Sequence, residues 1–387
     1  MRTPAMRHLL LACTLLAPLG APALAEPLPS EKAIGQLEPV FAFRDAMPTG
    51  VTVAADGRIF VNFPRWGDAV PFTVGELRDG EVRPFPDAAT NVFDPDRPAE
   101  TLSSVQSVVV GPAGRLWLLD TAAPSFAEPL DGAAKLVAVD LATNQVAQTI
   151  VLPPDVVLDT TYLNDVRFDL TEGEAGIAYI TDSSTNGPGG IIVVDLQTGE
   201  AWRKLSGHPS TSPDPDFVGV VEGQRLAIRQ PGQPPQPFRV ASDGIALSAD
   251  GATLYYSPLS SRHLYSVPTD LLRDRQASEE TLAQAVTDLG EKGASDGLES
   301  DAQGRVYATD YENNAIHRRD PDGTWETLVH DPRLLWPDTL SVAGDGHLYV
   351  TANQLHRQAQ FHEGQDLREK PYSLFRIPID AGPVLLK

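Results

Sequence analysis

One pattern recurs along the chain and constrains the fold more than any other feature. An alternating apolar run is followed by a turn ending in glycine, then by a second run ending in small polar residues. It appears as GVTVAADGRIFVNF (50–63), SVVVGPAGRLWLLDT (107–121), VRFDLTEGEAGIAYITDSS (166–184), GIALSADGATLYYSPLSS (244–261), GLESDAQGRVYATDY (297–311) and TLSVAGDGHLYVTAN (339–353). The turn glycines are Gly57, Gly114, Gly176, Gly251, Gly304 and Gly346. Asp-Gly and similar pairs adopt φ > 0 readily and close tight hairpins between β-branched and aromatic runs. A second pair of runs follows most copies, as in KLVAVDLATNQVAQTIVL (135–152), GIIVVDLQTGEAWRKL (190–205) and AIHRRDPDGTWETLV (315–329). Two hairpins per repeat make a four-stranded antiparallel sheet. Six such sheets arranged radially predict an all-β, six-bladed β-propeller.

The last copy shows three strands, ending in YSLFRIPI (372–379). The strand-like PVFAFR (39–44) ahead of the first copy supplies its fourth and closes the ring, leaving no open sheet edge. One helical interruption is expected at 278–285, inside the fourth blade, where Ser278 caps and Glu279-Glu280 suit a helix start.

Residues 1–25 read as a secretory signal peptide: Arg2 and Arg7 precede an apolar stretch at 9–19, and Ala23-Leu24-Ala25 is a small-residue cleavage site. A competing reading takes Leu10-Leu11-Ala12-Cys13 as a lipoprotein box with a lipidated Cys13. With cleavage after Ala25 the mature chain, 26–387, is one domain without cysteine, which rules out disulfides and thiol chemistry in it. Export ends in the periplasm or outside the cell, and no later segment is long and apolar enough to span a membrane. The net charge is −22, and −24 for the mature chain. Such a surface repels phosphate backbones, so nucleic acid is excluded as a partner, while small cations and neutral ligands are accepted.

In a propeller all inner strands begin near the axis on one face. Aligned repeats place Thr49, Gln106, Asn164-Asp165, Asp243, Asp296 and Asp338 just ahead of those strands, around one channel mouth. Asn164, Asp165, Asp243, Asp296 and Asp338 are hard oxygen donors that suit Ca²⁺ or another divalent cation. Without a cation, carboxylates so crowded raise one another's pKa and share protons. Asp or Asn ahead of a strand also caps turns without any ligand, and that alternative stands beside the first.

A second ring lies in loops after the second strands: 63–66, Asp120-Thr121, 182–184, 257–261, 310–314 and Asn353-Gln354. Among these loops and the residues near them, Trp66, Tyr311 and Trp336 are candidate walls for a small-molecule pocket, with Gln106, Asp182 and Asn353 as directing polar groups. The insertion 354–370, carrying His356, Arg357 and His362, is placed over that face as a lid. There is no His-Glu-x-x-His, no Gly-x-Ser-x-Gly elbow and no phosphate-binding glycine loop, so no organic cofactor is expected.

The stretches YLNDVRFD (162–169), AYITDSS (178–184), GIIVVDLQTGEAWR (190–203), GIALSADGATLYYSPLSSRHLYSVPTDLLRD (244–274) and WPDTLSVAGDGHLYVTANQLHR (336–357) resemble bacterial members of the Yellow/major royal jelly protein family. The resemblance implies a secreted six-bladed propeller that binds a small organic ligand, such as an amine, in its central channel. The blade layout is more distantly similar to gluconolactonase/regucalcin-type propellers, which are divalent-metal lactonases. Asn164 and Asp243 match two of the family's three ligands, but Met47-Pro48-Thr49-Gly50 stands where the first-blade Glu belongs. In that hydrolase reading a metal polarises a carbonyl and Asp243 or Asp165 acts as base. A protein-binding scaffold is the third reading.

Overall fold

The computed structural model describes residues 33–387. The signal-peptide and lipoprotein-box readings, and the cysteine, lie outside these residues. Six four-stranded antiparallel sheets form the blades of a propeller. Blade 1 runs Val51–Val53, Ile59–Asn62, Val74–Arg78 and Glu81–Pro84 from the axis outward. Blades 2 to 5 begin on the inner strands Val105–Val110, Leu163–Asp169, Ser242–Leu247 and Leu298–Ser300. Blade 6 runs Pro337–Val342, His347–Ala352 and Tyr372–Pro378, and its outermost strand is the N-terminal Glu38–Phe43. That strand pairs antiparallel from Glu38↔Arg376 to Phe43↔Tyr372, with one register shift between Pro39 and Phe41, so the ring closes as expected. The six repeat glycines have φ of 85°, 71°, 106°, 74°, 80° and 81° in chain order, the left-handed turn conformation that their sequence context predicts.

Blades are joined face to face by alternate apolar side chains of their strands. Trp117 of blade 2 stacks on Phe168 of blade 3 at 4.9 Å, within a cluster that includes Leu119, Leu163, Ile180 and Ile192. Blades 3 and 4 meet through Tyr179, Ile191, Ile245, Leu254 and Tyr256.

A buried polar staple recurs at the ends of the second strands. Asp120 accepts from the backbone N–H groups of Ser103, Ser104 and Ala122 and pairs with Lys135 Nζ at 2.9 Å, with both side chains buried. In blade 3 Asp182 accepts from Tyr162 N, Ser184 N and Thr161 Oγ1 and pairs with Arg203 at 2.8 Å. Blade 5 repeats it with Asp310 and His317 at 3.1 Å. The staples of blades 2 and 3 satisfy backbone donors of the loop that enters the blade, while Asp310 accepts from Glu312 N and Asn313 N in the loop after its own strand.

The helix Glu279–Ala285 forms with Ser278 accepting from Thr281 N at its start, as the sequence indicates. A second helix, Thr269–Arg273, precedes it and was not foreseen, because five residues are too few to show a helical period.

Candidate functional site

Four of the inner strands carry a register shift at their start. The shifts fall between Val105 and Ser107, Leu163 and Val166, Ser242 and Ile245, and Pro337 and Leu340. These intervals hold Gln106, Asn164-Asp165, Asp243 and Asp338. A bulge re-aims side chains that regular pairing would direct into the blade faces. Thr181 Oγ1 accepts from Asp165 N, and Thr309 Oγ1 accepts from Asp296 N and Gly297 N, so hydroxyls of the second strands replace the lost ladder bonds.

Asp165, Asp243, Asp296 and Asp338 are thereby brought into one electrostatic cluster, each buried to 4–8% exposure. Burial, then Asp296 and Asp165, push the Asp243 carboxyl well above the ordinary carboxylate range. Asp338 is displaced the same way, by burial first and then by Asp296 and Asp165. The contact between the Asp243 and Asp296 side chains raises the first carboxyl further and lowers the second. Burial raises Asp296 to about 6, against the lowering effect of its bonds from Trp336 and Asp243. Burial raises Asp165 as well, with Arg167 opposing.

The donors around the cluster are specific. Trp336 Nε1–H donates to Asp296 Oδ2 at 2.6 Å, Asn353 Nδ2 to Asp338 Oδ2 at 2.6 Å, and Ser183 Oγ to Asp243 Oδ2 at 3.0 Å. Lys292 is the nearby cation that sequence reasoning missed. Burial lowers it to about 7, while Asp310, Asp214 and Asp243 pull the other way. Nothing in its local sequence, Glu291-Lys292-Gly293, distinguishes it from a surface lysine.

On the side of blades 1 to 3, Trp66 stacks on Phe126 at 5.0 Å and donates to Tyr162 Oη at 2.6 Å. Tyr162 in turn donates to Gln106 Oε1 at 3.0 Å, and its hydroxyl feels the charge of Asp243. Trp66 and Gln106 are thus connected as candidates, through a tyrosine that the sequence reading did not select. Tyr311 and Trp336 also come together, stacked at 4.2 Å and 8°, but at 1% and 0% exposure they form packed floor instead of open wall. Asp182 stands apart, with its oxygens occupied by the blade 3 staple. Asn353 joins the cluster through Asp338.

Two insertions meet above this floor. The segment 354–370, placed over the mouth by the sequence reading, packs against a Pro-rich segment at 206–241 that the repeat does not single out. Glu222 accepts from Arg357 at 2.6 and 2.8 Å and bonds His356 Nε2 at 2.7 Å. Arg229 N donates to Gln360 O, and Phe238 packs edge-on against Phe361. Phe217, Val221, Leu226 and Phe361 close onto Tyr311 and Trp336. Arg368 ties the cap to blade 1 through both oxygens of Asp68 at 2.7 and 2.8 Å.

Among the described residues no three His, Cys, Asp or Glu groups converge as metal ligands. As they stand, the axial oxygens are engaged with Trp336, Asn353, Ser183 and one another, an arrangement that does not fit an inner-sphere divalent cation without movement. Among the described residues no helix is long and apolar enough to cross a membrane.

The chain resembles solved propellers along nearly its whole length. A luciferin-regenerating enzyme aligns with TM-score 0.54 at 11% identity, covering 91% of this chain and 99% of the other. A putative gluconolactonase gives 0.51 at 13% identity over 90% and 99%. A calcium-binding regucalcin from Agrobacterium tumefaciens gives 0.50 at 15% identity over 90% and 96%. Identities this low bear on the fold alone. In sequence the chain is 28% identical to protein yellow of Drosophila erecta over 264 residues, 65% of this chain and 46% of that one. It is 29% identical to protein yellow of Drosophila madeirensis over 265 residues, 64% and 44% respectively. The chain therefore spans less than half the length of these relatives. The sequence model of the major royal jelly protein family matches residues 103–374, more than half of the chain, and the protein belongs to that family.

Proposed function

We propose that the protein is exported to the periplasm or beyond the cell and binds a small organic ligand bearing an ammonium group at the capped axial mouth. The observation that carries this reading is the cluster of four buried carboxyls with raised pKa values. Buried like charges are relieved by a proton or by a counter-charge of their own size. Lys292, which burial lowers to about 7, supplies only part of that charge at neutral pH, and Arg167 acts on Asp165. An ammonium makes several hydrogen bonds to oxygens set at different angles, and Trp66, Phe126 and Tyr162 offer aromatic faces for its apolar part. The cap formed by 206–241 and 354–370 packs over Tyr311 and Trp336 beside the carboxyls, and burial of that kind strengthens each charge interaction.

A second reading, a divalent cation such as Ca²⁺ held by Asn164, Asp165, Asp243, Asp296 and Asp338, is supported by the number of oxygen donors at the axis. It requires the carboxylates to draw together, and lactone hydrolysis with Asp243 or Asp165 as base follows only if they do. Thermal unfolding separates the two. The full chain is treated with EDTA and then given Ca²⁺, Mg²⁺, Mn²⁺ or 2-phenylethylammonium, since a ligand that binds only the native state raises the midpoint. A rise with the ammonium and none with the metals supports the first reading. A rise reversed by EDTA supports the second, and no rise with any of them rejects both.

A further inference from the structure

The two insertions that form the cap hold a cavity of about 370 Å³ between them. One wall is the hairpin of Val220–Val221 and Gln224–Arg225, continued by Leu226 and Arg229. The other is the pair of turns Leu355–Arg357 and Ala359–Phe361 with the chain that follows as far as Glu369. Backbone bonds fasten the walls to each other, Arg229 N donating to Gln360 O at 2.7 Å and Glu363 N to Arg229 O at 3.1 Å. Val221, Leu226 and Phe361 are buried and, with the exposed Leu367, give the cavity an apolar side.

Its charged lining is unevenly matched. Three arginines, two glutamates and two histidines line it, which leaves one positive charge with both histidines neutral, in a chain of net −22. Glu222 is taken by Arg357, which bonds both its oxygens, and by His356. His362 bonds His356 O through Nε2, and the charge of the exposed Glu369 acts on Arg357. Arg225 and Arg229 are left without a carboxylate partner among the described residues. Arg229, half-buried, is steadied by three bonds to the carbonyls of Arg225, Ala227 and Phe361, so its fork of five N–H donors is positioned but not exhausted. Arg225 is exposed, and its guanidinium makes no hydrogen bond or ion pair among the described residues.

We propose that this cavity is a binding site, separate from the axial carboxyls, for a small organic monoanion: a carboxylate with an apolar tail of a few carbons. Arg225 and Arg229 receive the head, since an arginine fork matches the two oxygens of a carboxylate. Val221, Leu226, Phe361 and Leu367 receive the tail. The charge balance selects the class. One negative head meets the single excess positive charge, a dianion brings its second charge toward Glu222 and Glu369, and an ammonium head meets three arginines. An apolar wall with a few directing polar groups, a few hundred Å³ in volume, is the usual form of a small-molecule site.

The test is calorimetric titration of the full chain with hexanoate, with acetate, which lacks the tail, and with 1-hexanol, which lacks the charge. Two variants localise the binding: Arg225→Glu reverses the free charge, and Leu367→Glu places an acid on the apolar side. Both positions are exposed, so neither substitution disturbs the core. The expected result is one hexanoate per chain, with acetate and hexanol weaker by roughly tenfold or more, and a loss of hexanoate affinity of about the same size in each variant. No hexanoate binding, acetate or hexanol as tight as hexanoate, or hexanoate affinity unchanged in either variant overturns the proposal.

Discussion

Trp336 donates its indole N–H to Asp296 at 2.6 Å while its ring stacks on Tyr311 at 4.2 Å and on His356 at 5.9 Å. His356 bonds Glu222 of the other insertion, so one side chain connects the axial carboxylates with the cap. Trp336→Phe keeps the stack and removes the donor. A buried acceptor left unsatisfied costs about 1–3 kcal/mol. The expected outcome is a loss of that size in denaturant unfolding, with the Asp296 carboxyl moving above about 6 in an NMR titration.

The axial carboxyls make the stability of the ligand-free protein fall as pH rises. Asp296 has a folded pKa near 6 against an ordinary 3.8, and Asp243 and Asp338 are displaced further. The native state therefore holds protons that the unfolded chain has released, and ionisation through this interval works against folding. Lys292 has the converse effect, since a folded value of about 7 against 10.5 makes stability recover as pH rises between them. The thermal midpoint is expected to pass through a minimum near neutral pH. Asp243→Asn, which imitates the protonated acid, raises stability at pH 7 by about 1.4 kcal/mol for each unit of pKa displacement it removes. A midpoint unchanged by the substitution at pH 7 contradicts the cluster.

The cap is fastened by Glu222, which Arg357 first and His356 second hold at a pKa of about 2. Because Glu222 is partly exposed, solvent screens the pair and global stability changes little in Glu222→Gln. Local opening is the sensitive quantity. Amide exchange in 354–370 is expected to accelerate several-fold in that variant, with exchange in the blade strands unchanged.

The staple of blade 2 is a structural matter. Lys135→Met leaves Asp120 buried beside three backbone donors but without its cation. Removing one partner of a buried ion pair costs about 3–5 kcal/mol, and urea unfolding of this variant measures it. Binding at the axial mouth is expected to survive wherever the variant remains folded.

Much of this architecture was legible because the repeat fixes a period and the turn glycines fix its phase. The glycine after Asp56 or Asp250 marks a hairpin, and every such hairpin opens a blade. The axial residues were legible for the same reason, since Asp165, Asp243, Asp296 and Asp338 occupy one position of the repeat. What the repeat does not encode was missed. Lys292 and Tyr162 approach the axis only because loops of different length bring them there, and 206–241 becomes a cap by contacts with a segment more than a hundred residues away. Asp182 illustrates the opposite case: its repeat position suggests a ligand group, while Arg203, on the outermost strand of the same blade, engages it.

On the proposed function the buried axial carboxyls receive a cationic organic ligand. The most direct test is calorimetric titration of 2-phenylethylammonium at pH 6 in buffers of different ionisation enthalpy, comparing the wild type with Asp243→Asn/Asp296→Asn. One ligand per chain is expected, with proton release as Asp243 and Asp296 ionise around it, and with at least tenfold weaker binding and no proton release in the double variant. Equal affinity in the two proteins, or binding without proton release in the wild type, contradicts the proposed function.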